Sequence, residues 1–270
     1  MNPKEPVGPT ILVFDSGLGG LTVHREVARA RPDATFIYAA DDAFFPYGRH
    51  GEAELVARVL AVFDDLIARY SPDLVVVACN TASTLVLPQL RARFEIPFVG
   101  TVPAIKPACA SSVTRLVSVL GTEATVKREY THALVRDFGA GCAVTLVGSP
   151  RLAVMAEAEL NGEPVSDAAI AAEVAPCFIE ANGARTDTIV LACTHYPLLL
   201  DRLNALAPWP VKFIDPAPAI ARRVLDLLGP PADRETPRPA RFVYTSGRGP
   251  SPALKAALLG FGITETAPAV

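Results

Sequence analysis

The sequence lacks the features that mark a secreted or membrane-bound protein. Its first ten residues, MNPKEPVGPT, contain no apolar run of the kind found in secretory signals. No window approaches about 18 consecutive apolar residues, the length that a membrane helix needs. The formal net charge is only −3, so no general electrostatic attraction to nucleic acid or anionic lipid is expected. We therefore expect a cytoplasmic protein that binds neither nucleic acid nor membrane.

Cysteine is scarce, and its pattern excludes a disulfide framework. The five cysteines are Cys79, Cys109, Cys142, Cys177 and Cys193. Their number is odd, no two form a C-x-x-C pair, and a chain of 270 residues is too long to need disulfide staples. Reduced thiols are expected, and Cys109, Cys142 and Cys177 fit the pattern of small buried hydrophobes.

A glycine-rich turn follows the first apolar run but matches neither common nucleotide-binding motif. The stretch ILVFDSGLGGLTV (11–23) passes through Asp15 and Ser16 to three glycines, which let the backbone approach a ligand closely. It is not a dinucleotide fingerprint, because G-x-G-x-x-G requires glycine where Thr22 stands, and it lacks the Gly-Lys-Ser/Thr ending of a P-loop. Alone, this turn is weak evidence for a binding site.

Short apolar runs alternate with longer segments of helical period. The predicted strands lie at residues 11–14, 35–39, 73–78, 116–120, 143–147, 188–192 and 212–214. Helical patterns such as 52–70 lie between them. This alternation predicts parallel α/β sheets with right-handed crossovers. Runs such as LVVVA are apolar at successive positions, as a strand covered on both faces requires.

Two proline-containing stretches, 97–107 and 207–213, are predicted crossing points between two similar lobes. The predicted lobes comprise residues 1–100 with 211–270, and residues 101–210. Each consists of a mainly parallel sheet flanked by helices. The segment 229–242 is predicted to be a linker, followed by a short strand at FVYTS and a helix at SPALKAALLGF.

One internal repeat stands out. DLVVVAC (73–79) and DTIVLAC (187–193) share Asp, one Val, Ala and Cys. A match this short can arise by chance, but both runs stop on cysteine and pass at once into small hydroxylated or amide residues. Since ligands of parallel α/β sheets bind beyond the carboxyl ends of the strands, both thiols are predicted to lie at ligand-binding edges.

The residues after the two thiols suggest acid–base chemistry. Thr81 and Ser83 follow Cys79, and Thr194 follows Cys193; such residues favour helix N-caps. A helix start stabilises an anion, and we expect it to lower a thiol pKa from about 8.5 into a useful range. A thiolate and a thiol on opposite sides of a carbon can remove and supply its proton, which inverts the stereocentre.

Five motifs in this order resemble those of the cofactor-independent glutamate racemases: DSGLGG, PYG (46–48), ACNTAS (78–83), GTEATV (121–126) and CTHYP (193–197). The resemblance implies an aspartate/glutamate racemase fold with the active site in the cleft between two lobes. It implies interconversion of L- and D-glutamate by two thiols, without pyridoxal cofactor or metal, supplying D-glutamate for peptidoglycan. It also implies a homodimer.

The resemblance also implies individual roles. Cys79 and Cys193 are the implied acid/bases, assisted by Asp15, His195 and Glu157. The implied substrate contacts are Asp15, Ser16, Tyr47, Gly48, Asn80, Thr81, Thr122, Thr125, Thr194 and His195.

Four positions depart from the family pattern. Asp42 and Phe44 stand where a hydroxyl and a cation are usual, which puts the polar contacts of that loop in doubt. Ala192 replaces a common glycine before the second cysteine, and Ser149 occupies a frequent cysteine position.

Other functions fit less well. A zinc site of Cys79, Cys193 and His195 has an unusual Cys-x-His spacing and no fourth ligand. A cysteine hydrolase with His195 as base leaves Cys79 unexplained. An aspartate racemase is the nearest alternative, but enzymes of that type typically carry Glu where His195 stands. A non-catalytic amino-acid-binding protein gives no reason for a thiol at each strand end.

Overall fold

The computed structural model describes residues 8–232 and 238–268. Its strands are β1 (Thr10–Asp15), β2 (Thr35–Ala40), β3 (Leu74–Val77), β4 (Phe98–Gly100), β5 (Leu116–Gly121), β6 (Ala143–Gly148), β7 (Glu180–Ala181), β8 (Ala184–Arg185), β9 (Thr188–Ala192), β10 (Lys212–Ile214), β11 (Ala240–Tyr244) and β12 (Ile263–Pro268). Its helices are α1 (Leu21–Ala30), α2 (Glu52–Tyr70), α3 (Asn80–Arg93), α4 (Ile105–Ser111), α5 (Glu123–Lys127), α6 (Glu129–Phe138), α7 (Leu152–Leu160), α8 (Asp167–Val174), α9 (Leu200–Leu206), α10 (Ala217–Leu228) and α11 (Pro252–Gly260).

Two parallel sheets organise the fold. The first has the order β12-β11-β2-β1-β3-β4, and the second has the order β6-β5-β9-β10. All strand pairs within these sheets are parallel, and β7 and β8 form a separate antiparallel hairpin. The predicted α/β class is confirmed. We call each sheet with the helices packed on it a lobe.

The two sheets repeat one strand order. Taken along the chain, β1 to β4 pair as 2-1-3-4, and β5, β6, β9 and β10 pair in the same order. The repeated sequence occupies the third strand of each set. Asp73 accepts a hydrogen bond from the N–H of Thr10 (2.7 Å) at the start of β1, and Asp187 accepts one from the N–H of Thr114 (2.9 Å) just before β5. The sequence repeat therefore reflects a structural repeat.

Helices cover both faces of each sheet, as the apolar runs require. On the first sheet, α1, α10 and α11 pack on one face and α2 and α3 on the other. On the second, α7, α8 and α9 pack on one face and α4 and α6 on the other. The predicted helix at 52–70 is confirmed as α2, whose buried residues recur every three or four positions. All four residues of β3 are fully buried.

Several short elements were not predicted. Strand β4 lies inside the stretch 97–107, for which the sequence predicts only a crossing point. Three residues are too few to show the period of a strand. Strand β12 and the β7–β8 hairpin were also missed. Strand β11 begins inside the predicted linker, of which residues 233–237 lie outside the described part. The lobe boundaries stay a prediction. Residues 212–214, which the prediction assigns to the first lobe, form a strand that pairs with β9 in the second sheet.

The described helices include none with both the length and the apolar composition needed to cross a membrane. The five cysteines are all unpaired, and Cys142 is only partly buried, unlike the buried site predicted for it. Its position on the loop before β6 leaves one side open.

Asp187→Asn is expected to destabilise the protein by about 1–2 kcal/mol, because the carboxylate accepts hydrogen bonds from Ser112 Oγ and Val113 N (2.7 Å each). Burial raises the pKa of Asp187, but these hydrogen bonds outweigh it and hold the pKa at about 2. A lowered carboxyl pKa stabilises above the unfolded value of about 4, and the stabilisation is lost as pH falls towards 2. Urea unfolding between these pH values, with the exposed Asp137→Asn as control, measures the difference. A deficit that persists unchanged to pH 2 contradicts this account.

Candidate active site

The carboxyl ends of the two sheets meet at a small cavity. Its walls are formed by Ser16, Phe45, Pro46, Tyr47, Gly48, Cys79, Asn80, Thr81, Thr122, Ala153, Cys193, Thr194 and His195. The cavity volume is about 20 Å³, close to the room that one water molecule needs. Cys79 and Cys193 are only 5% and 6% exposed. The structure thus brings the two repeat cysteines to one enclosed space.

Cys79 directly precedes α3, but its thiol is not activated in this structure. The Sγ atom lies 3.6 Å from Ser16 Oγ, and the N–H of Ala82 points towards it. Burial raises the pKa of the Cys79 thiol to about 12, and the Asp15 carboxylate adds to this effect. The predicted lowering by the helix start is wrong for Cys79, because burial outweighs it. Cys79 is therefore a neutral thiol, able to donate a proton.

The predicted helix-capping residues serve other purposes. Ser83 lies inside α3, where its Oγ donates to Val77 O (2.7 Å) and accepts from Thr101 N (3.1 Å). Cys193 is followed by a short 3-10 turn rather than an α-helix. Thr194 Oγ1 donates to Asp15 Oδ1 (3.1 Å) and so joins the two lobes.

A histidine–carboxylate pair supports Cys193. The Nδ1 atom of His195 lies 3.8 Å from Cys193 Sγ, and its Nε2 lies 2.7 Å from Glu157 Oε1. Burial lowers the pKa of His195, but the hydrogen bonds with Cys193 and Glu157 more than offset it, so the pKa lies well above its usual range. Glu157 also accepts the N–H of Leu18 from the first lobe. A protonated His195 can donate to the Cys193 sulfur and stabilise its anion.

Asp15 lies behind the cavity wall, fully buried at the end of β1. It accepts hydrogen bonds from the N–H of Gly17 and from Thr194 Oγ1, both at 3.1 Å. Burial raises the pKa of Asp15 to about 6, against the opposing effect of the charge on His195. Asp15 is thus mostly ionised at neutral pH, beside the neutral Cys79 thiol.

The glycine-rich turn is shaped to fit the opposite lobe. A Cβ on Gly17 would lie 2.2 Å from Glu157 Oε1, and one on Gly19 would lie 2.5 Å from His195 Nδ1. Real side chains do not tolerate such distances. The glycines therefore allow an approach to second-lobe side chains, where the sequence alone predicted an approach to a ligand.

Polar groups on the remaining walls are available to a ligand. Thr81 Oγ1 lies 3.3 Å from the hydroxyls of Thr122 and Thr125, although Thr125 is fully buried behind the wall. Both side-chain polar atoms of Asn80 are buried and, within the described residues, have no hydrogen-bond partner. An amide left in this state is suited to contact a bound polar molecule.

The loop before Tyr47 lacks the cation that is usual at position 44, but the guanidinium of Arg58 hydrogen-bonds Asp41 of this loop. Tyr47 Oη donates to Asp41 (2.6 Å), which also receives two hydrogen bonds from Arg58 of α2. Phe44 stacks on the His50 ring, with centroids 3.7 Å apart. Asp42 accepts from the N–H of Ser246 (2.9 Å). Asp42 and Phe44 therefore both have partners despite departing from the family pattern, and Arg58, which no motif pointed to, holds Asp41 in the same loop.

The other two departures are also accommodated. The side chain of Ala192 lies 3.5 Å from the Cβ that Gly121 lacks, an ordinary contact distance. Ser149 Oγ donates to Glu173 and accepts from Leu152 N (3.0 Å) at the start of α7. Among residues 8–232 and 238–268, no group of three or more His, Cys, Asp or Glu has an arrangement suited to a metal ion.

Comparison with known proteins shows where this site belongs. The family model for Asp/Glu/Hydantoin racemases matches residues 21–224. The chain belongs to the Asp/Glu/Hydantoin racemase family. This membership confirms the resemblance that the five sequence motifs indicated.

Relatives within the racemase family are similar over nearly the full chain. Glutamate racemase of Agrobacterium fabrum is 53% identical over 256 residues, which cover 94% of this chain and 93% of that protein. Glutamate racemase of Brucella anthropi is 51% identical over 263 residues, covering 97% and 95%. The crystal structure of Escherichia coli glutamate racemase, in complex with L-glutamate and the activator UDP-MurNAc-ala, has a TM-score of 0.88 at 40% identity and covers 97% of this chain and 98% of that one.

Proposed function

We propose that this protein interconverts L- and D-glutamate by proton transfer at the α-carbon between two thiols. The placement of Cys79 and Cys193, from equivalent strand ends of the two sheets, on one cavity carries this proposal. Identity above 50% to glutamate racemases over nearly the whole chain supports glutamate as the substrate. The product D-glutamate would serve peptidoglycan synthesis.

The proposed mechanism uses one cysteine as the base and the other as the acid. Cys193, with His195 Nδ1 3.8 Å from its sulfur, is the base that removes the proton from the α-carbon of one enantiomer. Cys79, a neutral thiol with a raised pKa, gives its proton to the opposite face of the carbon. Each turnover leaves the protonation states exchanged, ready for the other enantiomer. One proton passes from the α-carbon to one sulfur, and another passes from the second sulfur to the α-carbon, so no further reactant is needed.

Polar groups around the thiols would hold the substrate in place. Asn80, Thr81 and Thr122 line the cavity, and the hydroxyls of the two threonines lie 3.3 Å apart; their donors would suit the α-carboxylate. Ser16 lies on the wall beside Cys79, with Asp15 behind it, where negative charge suits the α-ammonium group. No pyridoxal cofactor enters these steps. A homodimer and a cytoplasmic location stay predictions.

Proton exchange tests the proposal directly. Incubated in D2O with L-glutamate and no added cofactor, the protein is expected to replace the Cα hydrogen by deuterium, seen by NMR, while optical rotation decays to zero. L-aspartate in a parallel sample is expected to keep its proton. Exchange of aspartate alone would assign the protein to the aspartate-specific enzymes, and exchange of neither would favour a binding protein.

A further inference from the structure

Arg128 is an interlobe residue that the proposed chemistry does not use. It lies between α5 and α6 of the second lobe, yet its Nη1 donates to Thr81 O (2.6 Å) and to Thr84 Oγ1 (2.8 Å), both in α3 of the first lobe. The Arg128 side chain is only 10% exposed. A guanidinium buried across the cleft in this way is a specific contact rather than a surface ion pair.

The charged neighbour of Arg128 does not explain its position. Glu52 Oε1 lies 3.7 Å from Arg128 Nε, but the Glu52 side chain is 69% exposed. Pairs with one solvated partner contribute little, typically below about 1 kcal/mol. The hydrogen bonds to α3 are shorter and better shielded, so they determine where the guanidinium lies.

These hydrogen bonds act on a residue of the cavity wall. Thr81 meets the second lobe twice: its hydroxyl lies 3.3 Å from those of Thr122 and Thr125, and its carbonyl accepts from Arg128. The segment 122–128 therefore holds Thr81 from two sides. Arg128 does not line the cavity itself, so any effect on chemistry passes through Thr81.

The size of the cavity connects Arg128 to substrate binding. At about 20 Å³, the cavity is too small for an amino acid, so its walls must separate to admit one. Thr81 and Thr122 are wall residues from the two lobes, 3.3 Å apart at their hydroxyls, and α3 and the segment 122–128 are therefore two of the elements whose separation would widen it. Such a separation would part Arg128 from its two acceptors on α3. Once the rest of the wall has adjusted to the substrate, the same hydrogen bonds would hold Thr81 against it.

We propose that Arg128 is a positioning residue for the racemisation, fastening the closed lobes and fixing Thr81 against the substrate. This rests on the proposed function. Misplacement of a substrate-holding group by about 1 Å can cost about 10²-fold in rate. Arg128→Met is therefore expected to lower kcat/KM about 10- to 100-fold, with most of the loss in KM, because both acceptors on α3 are released.

Graded variants separate positioning from folding. Arg128→Lys, which keeps the positive charge and a hydrogen-bond donor, is expected to recover part of the loss. Thr84→Val removes one of the two acceptors and is expected to cost about 2- to 10-fold, as for a single hydrogen bond. Lys127→Met is the matched control, since Lys127 is next in sequence and its side chain is 73% exposed; it is expected to keep the wild-type kcat and KM.

The measurements are kcat and KM from each enantiomer, and hydrogen–deuterium exchange of segments 80–85 and 122–128 in the free protein. Faster exchange of both segments in Arg128→Met, with the loss in KM and partial rescue by lysine, supports the proposal. Wild-type kcat and KM in Arg128→Met and Thr84→Val overturn it. If Arg128→Met does not fold, Thr84→Val and Arg128→Lys decide. A wild type that racemises no glutamate refutes the proposed function instead, and the exchange data then still test the fastening of the lobes.

Discussion

Replacing either Cys79 or Cys193 by serine is expected to lower racemisation about 10²- to 10⁴-fold, the range typical of general acid–base catalysis. The proposed mechanism needs both thiols, because one removes the proton and the other supplies it on the opposite face. A serine hydroxyl is too weak an acid to form the anion that the base step requires. Decay of optical rotation from L- and from D-glutamate measures the loss for each variant.

Cys142→Ser is the matched control for these variants. Its thiol is unpaired and only partly buried, and it donates to Cys109 O (3.6 Å), which a serine hydroxyl can also do. This variant is expected to racemise at the wild-type rate. Substantial racemisation by Cys79→Ser or Cys193→Ser would show that one base suffices and would rule out the two-thiol assignment.

His195→Gln is expected to lower kcat/KM by about 10²-fold, as for a lost proton-transfer partner. An amide can still contact Glu157, but it carries no positive charge to stabilise the Cys193 anion. Since the two enantiomers have equal free energy, kcat/KM falls equally in both directions. The kinetic isotope effect of Cα-deuterated L- and D-glutamate is measured for the wild type and the variant. It is expected to increase more for the enantiomer from which Cys193 removes the proton. The exposed His132→Gln is the control.

The pH dependence of Glu157→Gln tests the same pair. The Glu157 carboxylate helps to raise the pKa of His195, so its removal lets the imidazole lose its proton at lower pH. The variant is therefore expected to lose activity at a lower pH than the wild type as pH rises. Identical profiles for the two proteins would mean that Glu157 does not maintain the charge on His195.

Much of this fold was accessible from sequence because buried parallel strands carry a strong signal. Runs such as DLVVVAC are apolar at every position, and the repeat marks the same strand in each lobe. The two thiols could be placed at strand ends for the same reason. Seven residues can match by chance, but the shared strand order of the two sheets shows that this match marks equivalent strands.

The features that the sequence does not predict depend on contacts between segments that are distant along the chain. Arg58 reaches Asp41 from α2, and Arg128 reaches Thr81 across the cleft, so neither belongs to a local motif. The pKa of Cys79 could not be read from its place before α3, because it depends on burial by both lobes. Short strands such as β4 were missed because three residues show no period.

The neutral state of Cys79 has a consequence for its chemical durability. Alkylating reagents and peroxides attack thiolates rather than thiols. With its pKa raised to about 12 by burial and only 5% of its surface exposed, Cys79 offers them little anion and little access. Burial thus shields the Cys79 sulfur from oxidation, while the partly exposed Cys142 is the more accessible target.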